Sequence, residues 1–114
     1  MESDSQANWI DVAGEEDFSA GTAKEFVVGP NVVAIFHDGQ SLYALDGLCA
    51  HQGGPIAKGT LSKTDKGKTC VTCPWHGWQY ELETGIQTVN RQPLQRTFPV
   101  RVNNGRVEVQ VDES

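Results

Sequence analysis

Two short segments set the terms for any fold this chain adopts: Cys49-Ala50-His51 and Cys73-Pro74-Trp75-His76-Gly77-Trp78-Gln79-Tyr80. Each offers one thiolate and one imidazole, so together they supply two Cys and two His. Twenty-one residues separate His51 from Cys73, which is room for two loops to close on one object from opposite sides. The chemistry to account for is a metal site with sulfur and nitrogen donors, and its candidate ligands are Cys49, His51, Cys73 and His76. The remainder of the chain reads as scaffold for those loops.

A chain of 114 residues is expected to form one domain, large enough for a real core and too small for two. The longest apolar run, Val32 to Phe36, is far short of a membrane span. The polar start, Met1 to Ala7, lacks the order of a signal peptide and is expected to fray. The expected location is therefore cytoplasmic. Three Cys leave no complete disulfide framework, which favours metal over cross-linking. A formal charge of -6 argues against a phosphate-binding face, so no nucleic-acid partner is expected. Seven of the acids lie within residues 1–25, against Lys24 alone, while Lys58, Lys63, Lys66 and Lys68 gather between the two Cys/His segments. Both groups read as solvated surface.

The pattern of the chain is all-β. Strands are expected at Trp9 to Val12 and at Lys24 to Val28, with at most one helical turn around Glu15 to Phe18. A hairpin follows: Val32 to His37, a tight primed turn at Asp38-Gly39, then Gln40 to Leu45. Gly47 to Gly59 has no periodicity and reads as loop, and Ser62 to Lys68 as a surface turn. Thr69 to Thr72 is β-type and leads into the second segment. Trp78, Tyr80 and Leu82 alternate with Gln79 and Glu81 as in a half-buried strand, with Ile86 to Val89 as its return arm. Thr97 to Val102 and Arg106 to Val111 form a last hairpin about Asn103-Asn104-Gly105. The expected layout is an antiparallel β base, a sandwich or incomplete barrel, from about 8–45 and 94–112, with an inserted lobe at about 46–93 carrying the metal.

Cys-x-His followed by Cys-x-x-His suits a mixed-ligand iron–sulfur site, in which one iron of a [2Fe–2S] cluster takes two thiolates and the other two imidazoles. Two ferric ions and two sulfides sum to +2, and two thiolates bring the oxidised centre to zero. A four-thiolate cluster starts two charges lower and resists an added electron. The expected potential is roughly -150 to +300 mV, against about -400 mV for all-Cys plant-type clusters. The alternative for the same four residues is a zinc-stabilised binding module, although this spacing is unusual for Cys₂His₂ zinc. Cys70 makes a Cys-x-x-Cys with Cys73, but reads as a buried, inert strand residue. His37 reads as a turn residue.

The two segments resemble the cluster-binding boxes of Rieske proteins, and the resemblance extends to the base-and-lobe layout of the whole chain. It implies that Cys49 and Cys73 bind one iron and that His51 and His76 bind the other through Nδ1, with Nε2 near solvent as the exit for an electron. Respiratory-complex members carry a disulfide between the boxes. Here Gly54 and Trp75 stand at those positions, and Trp78 replaces a serine that donates to a sulfide. Fewer donors imply a potential toward the low end, although Tyr80 matches a family tyrosine that can donate to a cysteine sulfur. The chain is similar in this to the soluble ferredoxins of the family. The His-Gly-Trp-x-Tyr run also resembles Rieske oxygenases, whose second iron needs two more His and a carboxylate; only His37 is left, so no oxygenase centre is expected. Gln52-Gly53-Gly54-Pro55 resembles the small subunit of assimilatory nitrite reductase. What the resemblance implies is an electron carrier that is not itself an enzyme, with no small-molecule substrate. Its partners would be a ferredoxin reductase and a terminal oxygenase, or a nitrite reductase large subunit.

Overall fold

Residues 32–36 are apolar without interruption because the strand that holds them is covered on both sides. The computed structural model describes residues 9–28, 31–48, 55–64, 67–75, 77–89 and 91–110. Strand β3 (Asn31–His37) lies inside a four-stranded antiparallel sheet with β2 (Thr22–Val28), β4 (Leu42–Asp46) and β8 (Thr97–Phe98), in the order β2-β3-β4-β8. Successive side chains of a strand point to opposite faces. Val33 and Ile35 accordingly enter one core with Phe18, Ala44, Phe98, Val107 and Val109. Ala34 and Phe36 enter another with Leu45, Ile56, Val71, Cys73, Tyr80 and Leu82. All four β3 residues from Val33 to Phe36 have no exposed surface. An alternating pattern belongs to a strand with one wet face, and this one has none.

A second sheet covers the first core. It is built from β1 (Trp9–Gly14), β10 (Arg106–Gln110) and β9 (Val100–Asn103), in the order β1-β10-β9. The chain ends of the domain are thus paired, Trp9 opposite Gln110, with an irregularity in register between Asp11 and Ala13. The second core is covered by a third sheet, β5 (Thr60–Lys63), β6 (Thr69–Thr72) and β7 (Gln79–Glu81). The central sheet is a shared wall between scaffold and lobe, and no sheet closes into a barrel.

Several expected boundaries move, each for an identifiable reason. The β3–β4 turn is not a two-residue primed turn. It spans Asp38 to Ser41, because the Asp38 Oδ1 accepts from the backbone N–H groups of Gln40 (2.9 Å) and Ser41 (2.8 Å). His37, expected in the turn, is instead the last residue of β3, paired with Thr22 and Leu42, and its Nδ1 accepts from the Gly39 N–H at 2.9 Å. The run 97–102 is two strands in different sheets, divided at Pro99, which has no N–H to continue a ladder. The surface turn expected from Ser62 begins later, since Thr60–Lys63 pairs with Thr69–Thr72 as an edge strand. The return arm expected at 86–89 shrinks to a single bridge, Tyr80 to Gln87. There the chain folds back on itself: Gln87 accepts from the Arg91 N–H and donates to the Gln92 carbonyl, both at 2.8 Å. Residues 15–17 form the short helical turn expected near Glu15, a 3-10 turn, and a second one lies at Ile56–Lys58 within the run expected to be loop.

Candidate metal centre

The structure closes both ligand-bearing segments at their bases. The first is held by a bridge between Leu48 and Pro55 and by the Ile56 N–H donating to the Gly47 carbonyl at 3.1 Å. Gly47 is itself fixed to the central sheet, its N–H donating to the Val32 carbonyl at 2.7 Å. Leu48 and Pro55 therefore meet at one point on the scaffold. The second segment leaves the Thr72–Gln79 rung of the β6–β7 pair. It is closed by the Cys73 N–H donating to the Trp78 carbonyl at 2.7 Å. Side chains reinforce that rung, with the Gln79 amide donating to Thr72 Oγ1 at 3.2 Å and accepting from Thr88 Oγ1 at 3.0 Å.

The feet of the two segments pack against each other. Ile56, at the foot of the first, packs in the same cluster as Val71, Cys73 and Tyr80 of the second. Gly59 lies so close to the Thr72 carbonyl and the Val71 side chain that a Cβ there would collide with both. Cys73 is 1% exposed, and its thiol sits at the floor of this arrangement beside the fully buried Tyr80. Trp78 packs against the same cluster, whereas Trp75 at the loop tip is 48% exposed. Of the four expected ligands, Cys73 is described; Cys49, His51 and His76 lie outside the described residues, as do 52–54 and Lys66. A buried thiol at the base of one closed loop, with a second closed loop against it, fits a sulfur ligand to a cluster held between two loops.

Cys70 has a different environment. It lies within β6 with no exposed surface, and its Sγ contacts the Lys68 carbonyl at 3.8 Å. Burial, and then the Glu81 carboxylate, push its thiol above the ordinary range, so it stays protonated. A protonated thiol is a poor metal ligand.

Among the described residues three polar side chains are buried, Glu81, Gln87 and Gln95, and the pattern of the sequence marks none of them; two, Glu81 and Gln95, have partners that bear on the site. Glu81 was expected on the wet face of β7, yet it is buried, because the chain after it folds over it. Arg91, at φ 61, carries its guanidinium to 3.0 Å from Glu81 Oε2, and Thr84 Oγ1 donates to Oε1 at 2.9 Å. The Arg91 contact first, and Thr84 next, hold the Glu81 carboxyl below the usual carboxylate range. Gln95 is the second such residue, 2% exposed and bonded far across the sequence. No spacing rule connects either residue to its partners.

The Glu81 pair predicts a pH dependence with a definite sign. A carboxyl with a depressed folded-state pKa adds stability above its unfolded value, about 4.3, and loses that stability as pH falls through the folded value. Glu81→Gln is expected to destabilise the protein by about 1–2 kcal/mol near neutral pH. Thermal melts of both proteins, taken from neutral pH downward, should converge below that range. A gap that persists in acid would show that the charge contributes nothing.

This combination defines a β-sandwich scaffold with two clamped loops built for a sulfur-containing metal centre. The model of the Rieske [2Fe-2S] domain matches residues 8–99, and the chain belongs to that family, whose domain holds one [2Fe–2S] cluster. It is 32% identical over 113 residues to a human Rieske domain-containing protein, covering 86% of this chain and 71% of that one. It is 28% identical over 107 residues to the anthranilate 1,2-dioxygenase ferredoxin subunit of Burkholderia cepacia, covering 92% and 94%. The solution structure of the nitrite reductase [NAD(P)H] small subunit from Erwinia carotovora superposes with a TM-score of 0.77 at 19% identity, covering 95% of this chain and 85% of that one, which is a likeness of fold. Among the described residues no helix is long and apolar enough to cross a membrane.

Proposed function

We propose that this chain is a one-electron carrier, a Rieske-type ferredoxin that takes electrons from a reductase and delivers them to a terminal oxygenase or similar redox enzyme. Cys49 and Cys73 would ligate one iron and His51 and His76 the other, with the cluster lobe spanning about 46–93 on a base formed by the rest. The cluster supplies a site that accepts and returns a single electron. The chain's own residues keep that site rigid and dry on its inner side: Cys73 is anchored to Trp78, and Tyr80, Ile56 and Val71 exclude water from below. Rigidity suits a carrier, because little has to rearrange when charge arrives. The observation that carries the reading is the buried Cys73 at the foot of a closed loop, inside the residues 8–99 that match the family's domain. The full-length similarity to a dioxygenase ferredoxin subunit supports the choice of partner.

A second reading, a stably associated small subunit of a nitrite reductase, draws on the likeness of fold and on Gln52 to Pro55. The dithionite-reduced protein is expected to give an EPR signal with a lower average g than an all-thiolate [2Fe–2S] cluster. Affinity purification from the native host then separates the two readings. A carrier elutes alone, and a subunit brings a large chain with it. Colourless protein containing zinc would overturn both.

A further inference from the structure

We propose that Gln95 is a positioning residue of the cluster, a strut that fixes the backbone from which the first ligand loop departs; this rests on the reading of Cys49 as a ligand. The Gln95 side chain is buried, and its amide nitrogen lies 2.7 Å from the Asp46 carbonyl and 2.7 Å from the Leu48 carbonyl. Both partners are acceptors, so only the NH₂ of a primary amide meets them, with one hydrogen for each. Leu48 precedes Cys49, so the second of these bonds ends at the peptide group joining the two.

The same residue is tied to the other side of the site. Its backbone N–H donates to the Gly85 carbonyl at 3.1 Å, and the Gly85 N–H donates to the Glu81 carbonyl of β7 at 2.8 Å. Gly85, at φ 74, lies against the Gln95 carbonyl with no room for a Cβ. Next to it, the Asp46 N–H donates to the Arg96 carbonyl at 2.8 Å. Gln95 thus joins the strand that follows the second box to the residues that lead into the first. Groups that orient a metal's ligands matter nearly as much as the ligands, and losing one typically weakens the site 10–100-fold.

The test compares purified cluster-loaded proteins. Gln95→Met keeps the length and removes both donors, and Gln95→Asn keeps the donors on an arm one methylene shorter. Val107→Ala is the control, opening a fully buried site in the outer sheet, away from the lobe. Cluster loss to a chelator is followed by bleaching of the visible absorption, and g values are taken on the reduced proteins. Gln95→Met is expected to lose its cluster about tenfold faster than wild type, with shifted g values. Gln95→Asn should fall between the two, while Val107→Ala should melt earlier yet keep wild-type g values. Equal loss rates and g values for Gln95→Met and Val107→Ala would overturn the proposal, as a merely structural role predicts. If Gln95→Met does not assemble, the Gln95→Asn comparison decides. Should Cys49→Ser retain a wild-type cluster, the ligand assignment is what has failed.

Discussion

Cys73→Ala is expected to yield protein without colour, iron or acid-labile sulfide, while Cys70→Ala remains red-brown with a full cluster. The two thiols are near neighbours in sequence and equally hidden from solvent, so burial alone does not separate them. Their positions do. Cys70 sits inside the β6 ladder opposite Glu81, with its thiol kept protonated by burial and by that carboxylate. Cys73 lies one residue beyond the strand, at the closing hydrogen bond of the second loop. Removing the Cys70 sulfur leaves a small void worth about 1–2 kcal/mol. On the proposed assignment, removing Cys73 takes away one of four protein donors, and cluster binding is also folding free energy, so the loss extends to melting temperature. Iron and sulfide per chain, with the visible spectrum, settle the comparison. Cluster loss in Cys70→Ala and retention in Cys73→Ala would reverse the assignment of Cys73.

What could be read from the sequence follows the range of the interactions involved. The turn after Thr72 is legible because it is local: the Cys73 N–H reaches the Trp78 carbonyl five residues on, where spacing is geometry. The hairpin around Asp38 is legible for the same reason. The three-layer arrangement is less so: the run 32–36 announces a strand, but not that Ala34 and Phe36 face a different core from Val33 and Ile35. Strand β5 was hidden because an edge strand carries polar and charged residues that read as a turn, and Ser62 and Lys63 are exposed. Gln95 was hidden because its partners are set by tertiary folding, 47 and 49 residues away, and Glu81 because the irregular fold-back that brings Thr84 and Arg91 onto it has no period to read. A buried amide or carboxylate has no local signature in one sequence, and here both lie in the framework of the site.

Gly59→Ala is expected to be among the most damaging single-methyl additions available to this chain. Gly59 has φ -74 and ψ 175, an ordinary extended conformation that any residue adopts, so backbone freedom is not why glycine stands there. The reason is contact. The added methyl would meet the Thr72 carbonyl on one side and the Val71 Cγ2, at 2.8 Å, on the other. Thr72 is held by its ladder to β5 and β7 and by Gln79, and Val71 is fully buried, so neither can yield cheaply. Overpacking of this kind costs about 3 kcal/mol, or on the order of 10 °C in melting temperature for a domain of this size. The strain falls where the foot of the first loop meets the strand that delivers Cys73, so relief requires the two loops to separate. Cluster content should therefore drop along with stability. Gly67→Ala is the control, at an exposed lobe turn with nothing near the new methyl and strain from its φ of 82 alone. If Gly59→Ala holds its cluster and melts no earlier than Gly67→Ala, the close approach of the two loops is not what builds the site.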